Sequence, residues 1–416
     1  MKRILLLFST TSYNAKDFSE AARKLKVEVV PGTNRCRVLD DPWKDGALAL
    51  NFTNPSESVQ IILDYARHRP LDSIIAVGDP PIIVGALASR ALGLPGNPPE
   101  SIRNCRSKLL SRKLLKNARL PVPNYQCIAV SQNPLQAIQS VNFPCVLKPL
   151  SLSTSQGVIR ADNHDSFLRA FERIRRLLQS PQIRASQAEN LDRILVEDYV
   201  DGNEFALEAL LRNGRLKVLA LFDKPDLLQG PFFEETLYVT PSRLPLELQD
   251  QIKSCCQKAC QVLGLVDGPI HAEFRLNRQG PWILEVAPRT IGGLCSRTLS
   301  FGTGMSLEEI HLRHSLRMPI PSLQRETDAS GVMMLPIPVK GHLQGISGTE
   351  EALGVKGICK LSITAKPGQK LLPSPEGSSY LGFLFARGAS PQEVEQALRK
   401  AHQQIKFEIL PELPVV

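Results

Sequence analysis

Residues 270–289 read IHAEFRLNRQGPWILEVAPR, and the rest of the chain is best understood outward from them. Ile270, Ala272 and Phe274 alternate with His271 and Glu273, so a strand puts the apolar set on one face and the polar pair on the other. Asn277 to Pro281 reads as a short turn and Trp282 to Val286 as a second strand. Glu285 stands in a near-continuous apolar run, where an unpaired carboxylate is costly. A hairpin of the two strands sets Glu273 beside Glu285. A salt bridge within the hairpin is the plainer reading, but two like charges facing each other need a cation. Such a pair suits Mg²⁺ bridging phosphates, and Arg289, just beyond it, suits an anion.

Two stretches upstream extend the same chemistry. Val146-Leu147-Lys148-Pro149 ends a buried strand on a lysine, and the loop after it, residues 150–158, reads LSLSTSQGV. A strand-end lysine can meet α/β phosphates, and a small hydroxylated loop containing Ser155 and Gly157 offers backbone N–H groups to phosphate oxygens. A polar hairpin with a surface lysine accounts for these residues equally well. Residues 196–204 read VEDYVDGNE. Glu197 and the backbone around Tyr199 and Val200 suit an adenine edge, and Glu204 suits ribose hydroxyls; solvated acids at a turn are the alternative.

The first hundred residues alternate strand and helix signals. Strands are expected at Arg3–Phe8, Val27–Val30, Leu48–Asn51 and Ser73–Val77, and helices at Asp17–Leu25, Ser56–His68 and Ile83–Leu92. This rhythm predicts an open parallel sheet with helices on both faces, whose ligands sit at the strands' carboxyl ends, in the loops after Phe8 and Val77. No G-x-G-x-x-G follows the first strand, which argues against a dinucleotide there. The Pro-Gly-Asn-Pro-Pro cluster within Leu94–Pro99 marks a boundary. One basic helix, Ser101–Ala118, is expected next. Short strands and helices follow, with an exposed polar loop at Ser180–Asn190 and a long helix at Ser242–Leu263. Met318–Arg325 is a second proline-punctuated linker. Beyond it, Gly331 to Ile409 reads as several strands and a final helix, Pro391–Lys406.

Composition bounds the class. At 416 residues and 45.9 kDa the chain calls for two or three domains. Its 43% hydrophobic and 22% charged residues exclude collagenous, coiled-coil and wholly disordered chains. No apolar run nears the roughly 20 residues of a membrane helix. The nine cysteines are scattered without a C-x-x-C pair, which fits free thiols in a reducing cytoplasm better than disulfides or zinc. Net charge is +9, but the basic residues are spread out. The densest stretches are Ser107–Lys116 and Arg169–Arg176; in the second, Leu168, Phe171, Ile174 and Leu178 recur at helical spacing, so it is a solvated helix face rather than a phosphate-backbone track. Nucleic acid and membrane are therefore not expected partners.

In chain order these residues resemble the ATP-grasp superfamily of carboxylate–amine ligases, over about residues 1 to 320. Lys108 takes the position of the family's first nucleotide lysine. Lys148 with its lid loop, E-x-Y-V-x-G-x-E at Glu197–Glu204, H-x-E at His271–Glu273 and E-x-x-P-R at Glu285–Arg289 follow. From Gly331 onward the chain is similar to the L-amino-acid ligase branch. The resemblance implies an α/β fold: a Rossmann-like pre-ATP-grasp domain (1–98), a two-lobed ATP-grasp domain (99–320, lid lobe about 122–200) and a small α+β C-terminal domain (321–416). It also implies an ADP-forming ligase that joins a carboxylate to an amine through an acyl phosphate, on amino-acid-like substrates. Lys108, Lys148, Ser155, Gly157, Glu197, Tyr199, Val200, Glu204 and His271 would bind ATP. Glu273 and Glu285 would hold Mg²⁺ or Mn²⁺, and Arg289 would stabilise the acyl phosphate. A homodimer is a family-level expectation. Ala287 stands where many members carry an Asn metal ligand. Two alternatives therefore stay open: a carboxylase or nucleotide-pathway enzyme of the same superfamily, and a nucleotide-binding protein without catalysis.

Overall fold

A computed structural model of the protein describes residues 1–35, 46–185, 190–226, 229–234 and 236–412. Its first sheet is built on β1 (Arg3–Phe8), whose Ile4, Leu5, Leu6 and Leu7 are all fully buried. A strand with no polar face needs cover on both sides, and it has it. β2 (Glu28–Thr33), β3 (Leu48–Ala49) and β4 (Ser73–Val77) complete a parallel sheet of order β3-β2-β1-β4. Leu5 and Leu7 pack with the helices Pro55–His68 and Ile82–Ala91. Ile4 and Leu6 pack with the helix Ala15–Lys24 and with Leu312 and Leu316, in and just after a helix (Leu307–Ser315) that belongs to the middle of the chain. That borrowed helix seats the parallel sheet on the middle of the chain.

The single basic helix expected at Ser101–Ala118 is two helices, Pro99–Arg106 and Lys108–Asn117. Ser107 takes an extended backbone and its hydroxyl accepts from the Leu110 N–H, capping the second helix. The cap puts Lys108 in that helix's first turn.

A second sheet follows, in the stretch expected to form the lid lobe. β5 (Tyr125–Ala129), β6 (Cys145–Pro149), β7 (Ile159–Ala161) and β8 (Arg193–Asp198) form an antiparallel sheet of order β5-β8-β6-β7. The helix His164–Gln179 covers it, burying Phe167, Ala170, Phe171, Ile174 and Leu178, with Asn163 and Ser166 closing its first turn reciprocally. Its outer face is the expected basic one. The Ser180–Asn190 segment begins with a short helix, Pro181–Ala185, and its residues 186–189 lie outside the described ones.

The largest sheet has eight strands in the order β13-β12-β9-β10-β11-β14-β18-β16. Its members are β9 (Asn203–Arg212), β10 (Arg215–Lys224), β11 (Leu237–Thr240), β12 (Gly268–Asn277), β13 (Gly280–Ala287), β14 (Ala329–Leu335), β16 (Ile358–Ile363) and β18 (Gly382–Gly388). It runs unbroken past the proline-punctuated linker at residues 318–325, so the C-terminal part continues the same sheet. β15 (Gly341–Ser347), β17 (Lys370–Leu371) and β19 (Lys406–Pro411) make a small outer sheet. The long helix begins at Leu246, after Pro245, and covers the apolar face of β9, β12 and β13. No helix among the described residues is long and apolar enough to cross a membrane.

Candidate active site

The opposite face of β9, β12 and β13 is polar, and strand register arranges it in three rungs. On the first, Lys224 of β10, Glu204 of β9 and Arg275 of β12 lie side by side; on the second, Ala206, Glu273 and Glu285; on the third, Glu208, His271 and Ala287. The turn that joins β12 to β13 is tighter than expected, Arg278–Gln279, with the Asn277 side chain accepting from Gln279 N at 2.9 Å and Trp282 Nε1 at 3.1 Å. Glu273 and Glu285 are direct cross-strand partners. One residue further the register slips, because Phe274 pairs with Ile283, which leaves Leu284 as a β-bulge.

These rungs form one ionic chain. Arg275 Nε lies 3.2 Å from Glu204, and Lys224 Nζ lies 2.7 Å from Glu204 and 3.1 Å from Glu273. His271 Nε2 reaches Glu273 at 3.4 Å, and its Nδ1 lies 2.5 Å from Glu208. Glu208 is fully buried, and its other oxygen accepts from the Ile291 N–H at 3.2 Å. Burial opposes a charge on either member of the His271–Glu208 pair. We place the proton on the imidazole, because each ring nitrogen faces a carboxylate and only the imidazolium donates from both. The two glutamates thus outweigh burial and lift His271 to about 9. On these rungs, four carboxylates face three cations, leaving one negative charge.

Glu285 is half-buried and in no ion pair or side-chain hydrogen bond among the described residues. A carboxylate so placed beside Glu273 fits a divalent cation. Among the described residues no group of three His, Cys, Asp or Glu side chains is placed to hold a metal ion. The donor set therefore fits an ion that takes two carboxylates and completes its shell with water and phosphate oxygens, as Mg²⁺ does.

On the lid side the expected nucleotide ligands are already engaged. Lys148 pairs with Glu197, whose other oxygen accepts from Arg112 Nε at 2.6 Å. Glu197 is therefore an internal counter-ion rather than a group open to an adenine edge. Burial opposes its charge, yet Arg112 and Lys148 hold it below the usual carboxylate range, while burial brings Lys148 below the usual amine range despite Glu197. Arg112 Nη2 also donates to the carbonyl of the bulged Leu284 at 2.6 Å, tying the Glu197 strand to the strand that carries Glu285. Lys108 donates to the Leu152 carbonyl at 2.6 Å, at the start of the lid loop.

Within that loop Ser155 is half-buried, in the left-handed region. Gly157 also has positive φ, and a Cβ there would meet Pro149 at 2.8 Å. Its N–H was expected to face phosphate, but it donates to the Pro375 carbonyl at 2.8 Å. Gln156 donates to the Glu376 carbonyl at 2.7 Å, and Arg173 on the lid helix grips the Glu376 carboxylate at 2.5 and 2.8 Å. The C-terminal segment around residues 373–377 thus latches the lid.

At the hinge, two guanidinium groups approach the Tyr199 ring, Arg160 at 4.0 Å and Arg275 at 4.9 Å. Arg275 also takes the Val200 carbonyl at 2.7 Å, and the Val200 N–H donates to nothing among the described residues. Tyr199, Glu204, Arg160 and Arg275 line a cavity of about 340 Å³. Arg289 reaches Asp79, in the loop after β4, at 2.7 Å. Burial opposes its charge, but Asp79 and Glu285 hold Arg289 above its ordinary range.

The structure thus gathers Glu204, His271, Glu273 and Glu285 on one face and Lys108, Lys148 and Glu197 at its lid edge. His271 was expected to touch nucleotide, but the rung pairing gives it to two glutamates. Arg112, Glu208, Lys224, Arg275 and Arg160 escaped the sequence reading, and Asp79 entered it only within the loop after Val77. A signal existed for two of them. Glu208 interrupts the apolar run FALEALL, and Lys224 ends LALFDK, each a charge in a strand too apolar to leave it unpaired.

Comparison with known proteins adds the family. Residues 19–96 match the ATP-grasp N-terminal domain, 141–298 the ATP-grasp domain and 333–410 the L-amino acid ligase C-terminal domain 2. The chain is 28% identical to carnosine synthase 1 of Homo sapiens, over 82% of this chain and 43% of that protein. It is 26% identical to the alanine–anticapsin ligase of Bacillus subtilis (strain 168), over 57% of this chain and 52% of the relative. It therefore spans less than half of the length of the carnosine synthase. Its fold is that of the L-amino acid ligase from Bacillus licheniformis, with a TM-score of 0.82, 24% identity and 99% of both chains covered. The chain belongs to the ATP-grasp superfamily, and it ends in the C-terminal domain of the L-amino acid ligases.

Proposed function

We propose that the protein is an ADP-forming ligase that joins a carboxylate to an amine, with amino-acid-like substrates on both sides. The observation that carries this is the Glu273–Glu285 cross-strand pair, with Arg289 two residues beyond the rung of Ala287. The substrate class rests on the C-terminal domain match and on the relatives' names, an alanine–anticapsin ligase and an L-amino acid ligase.

The nucleotide's base would meet the Val200 N–H at the hinge, and its ribose Glu204. Lys108 and Lys148 would face the α/β phosphates once they leave Leu152 and Glu197. Glu273 and Glu285 would hold Mg²⁺, which offsets charge on the phosphates during transfer. The substrate carboxylate attacks the γ-phosphorus and ADP leaves, which gives an acyl phosphate. The amine then attacks the acyl carbon and phosphate leaves. Arg289, oriented by Asp79, would stabilise the oxyanion of that second step. The lid loop, latched by residues 373–377, would keep water from the acyl phosphate.

Phosphate release from Mg·ATP against pooled amino acids and small carboxylic acids, with mass spectrometry of products, tests this. ADP, phosphate and an amide are expected, and hydroxylamine should trap a hydroxamate. AMP and pyrophosphate would overturn the acyl phosphate route. A product carboxylated from bicarbonate would move the protein to the carboxylating members, and nucleotide binding with no turnover on any pool would favour a binding protein.

A further inference from the structure

We propose that Arg112 is a positioning residue for both halves of the site. It keeps Glu197 paired when Lys148 turns to phosphate, and it holds the bulge that sets Glu285 opposite Glu273. The proposal rests on the reading of Lys148 as a phosphate contact and Glu285 as a metal ligand. Arg112 sits one turn after Lys108 on the helix Lys108–Asn117, and its side chain is 2% exposed. Its Nε donates to Glu197 at 2.6 Å and its Nη2 to the Leu284 carbonyl at 2.6 Å, while the same Nη2 lies 3.5 Å from the second Glu197 oxygen. One rigid fork thus spans the strand of Glu197 and the strand of Glu285.

β13 is the outermost strand of its sheet, so no further strand can take a backbone group that turns away from β12. Leu284 has no partner in the β12–β13 ladder, and the carbonyl of a half-buried residue is costly to leave without a donor. Arg112 supplies that donor. The Ile283 N–H beside it donates to the Pro121 carbonyl at 2.9 Å, so Arg112 and Pro121 pin the strand at two successive residues directly before Glu285. On the lid side, Glu197 is paired with Arg112 and Lys148. When Lys148 leaves, Arg112 keeps the buried carboxylate from standing alone, so the guanidinium makes the lysine available. Arg112→Lys keeps the charge on the carboxylate, the stronger acceptor, but has no second arm for Leu284. Arg112→Met keeps neither contact.

The test is ADP binding to the full chain by calorimetry, in EDTA and at saturating Mg²⁺, because the ratio of the two affinities reads the metal site apart from the nucleotide lysine. In Arg112→Lys, affinity in EDTA should stay within about twofold of wild type, while the gain from Mg²⁺ falls about fivefold. In Arg112→Met, affinity in EDTA should fall as well, about tenfold, since Glu197 then keeps Lys148. Adding either change to Glu285→Gln should cost no further Mg²⁺ gain, because the group being positioned is already gone. An arginine that only held the strands together would lower both affinities alike. An unchanged Mg²⁺ gain, equal losses in EDTA and Mg²⁺ from Arg112→Lys, or a full further loss on top of Glu285→Gln overturns the proposal. Failure of both Arg112 variants to fold, by circular dichroism, makes the arginine structural and overturns it too. Wild type that binds no ADP, or gains nothing from Mg²⁺, removes the nucleotide or metal reading and the proposal with it, a result distinct from an Arg112 variant without effect.

Discussion

Glu285 and Lys148 are both charged residues set in apolar strands, β13 and β6, yet the fold treats them oppositely. Lys148 is neutralised from within, by a glutamate that a buried arginine also holds. Glu285 has no ionic partner among the described residues, although its cross-strand neighbour is another carboxylate. The difference separates a site assembled by register from one assembled by closure. The carboxylates of β12 and β13 are held by backbone pairing and wait in position. Lys148, Lys108 and the Gly157 N–H, which we propose face the nucleotide's phosphates, are held by Glu197, by the Leu152 carbonyl and by the Pro375 carbonyl. They must exchange these partners before they can serve a nucleotide.

Glu285→Gln breaks the comparison most severely. The shape stays and the charge goes, so turnover should fall by about a hundredfold or more, with the fold intact by circular dichroism. Turnover like wild type would show that the strand pair is not the metal site. Lys148→Ala comes next, because a charge-assisted contact to phosphate contributes roughly 1.5–3 kcal/mol. ATP affinity should drop about tenfold or more, while Arg112 keeps Glu197 satisfied. Lys113→Ala, on the same helix as Arg112 but exposed, should change it less than about twofold. Equal losses from both lysines would mean that diffuse charge binds the nucleotide.

Glu376→Gln loosens the latch. Its ion pair with Arg173 is largely exposed and contributes about 1 kcal/mol or less, so ATP hydrolysis without amide product should rise by no more than about fivefold. A fall in that uncoupled hydrolysis would show that the latch holds the lid open, not closed. The smallest effect belongs to Ala287→Asn. It restores a neutral oxygen ligand on the third rung, and the Mg²⁺ concentration giving half-maximal ADP formation should fall by about two- to threefold. Wild type inert with every acid and amine, alongside a variant that hydrolyses ATP, would point to a nucleotide-binding protein.

The parts of this site legible in the sequence are those in which one local signal suffices. The parallel sheet follows from apolar strands alternating with amphipathic helices, Glu273 follows from period-2 alternation, and Glu285 from standing as a carboxylate in an apolar run across a short turn. Lys224, Glu208 and Arg112 were not legible, because their meaning lies in partners 20 to 85 residues away. The strand β10 was missed entirely, and with it the rung on which Lys224 sits. The break at Ser107 escaped for another reason: charge and helix propensity run smoothly through it, and only the cap separates the two helices. Gly157 was read for its permissive backbone, which it has; its hydrogen bond goes to a segment more than 200 residues later, beyond any local pattern.

The bulge at Leu284 has a consequence for side-chain parity. Trp282 lies opposite Arg275, and Glu285 opposite Glu273, both on the polar face, yet the two are an odd number of residues apart. In an uninterrupted strand they would point to opposite sides. Ile283 and Val286, likewise three apart, both enter the core under the long helix. One supernumerary residue has therefore inverted the phase of the strand, so that a carboxylate emerges where strict alternation would have buried it. Straightening the bulge with Leu284 kept would turn Glu285 inward and Val286 outward. Deleting Leu284 would leave Glu285 opposite Glu273 in ordinary alternation and remove the carbonyl that Arg112 grips.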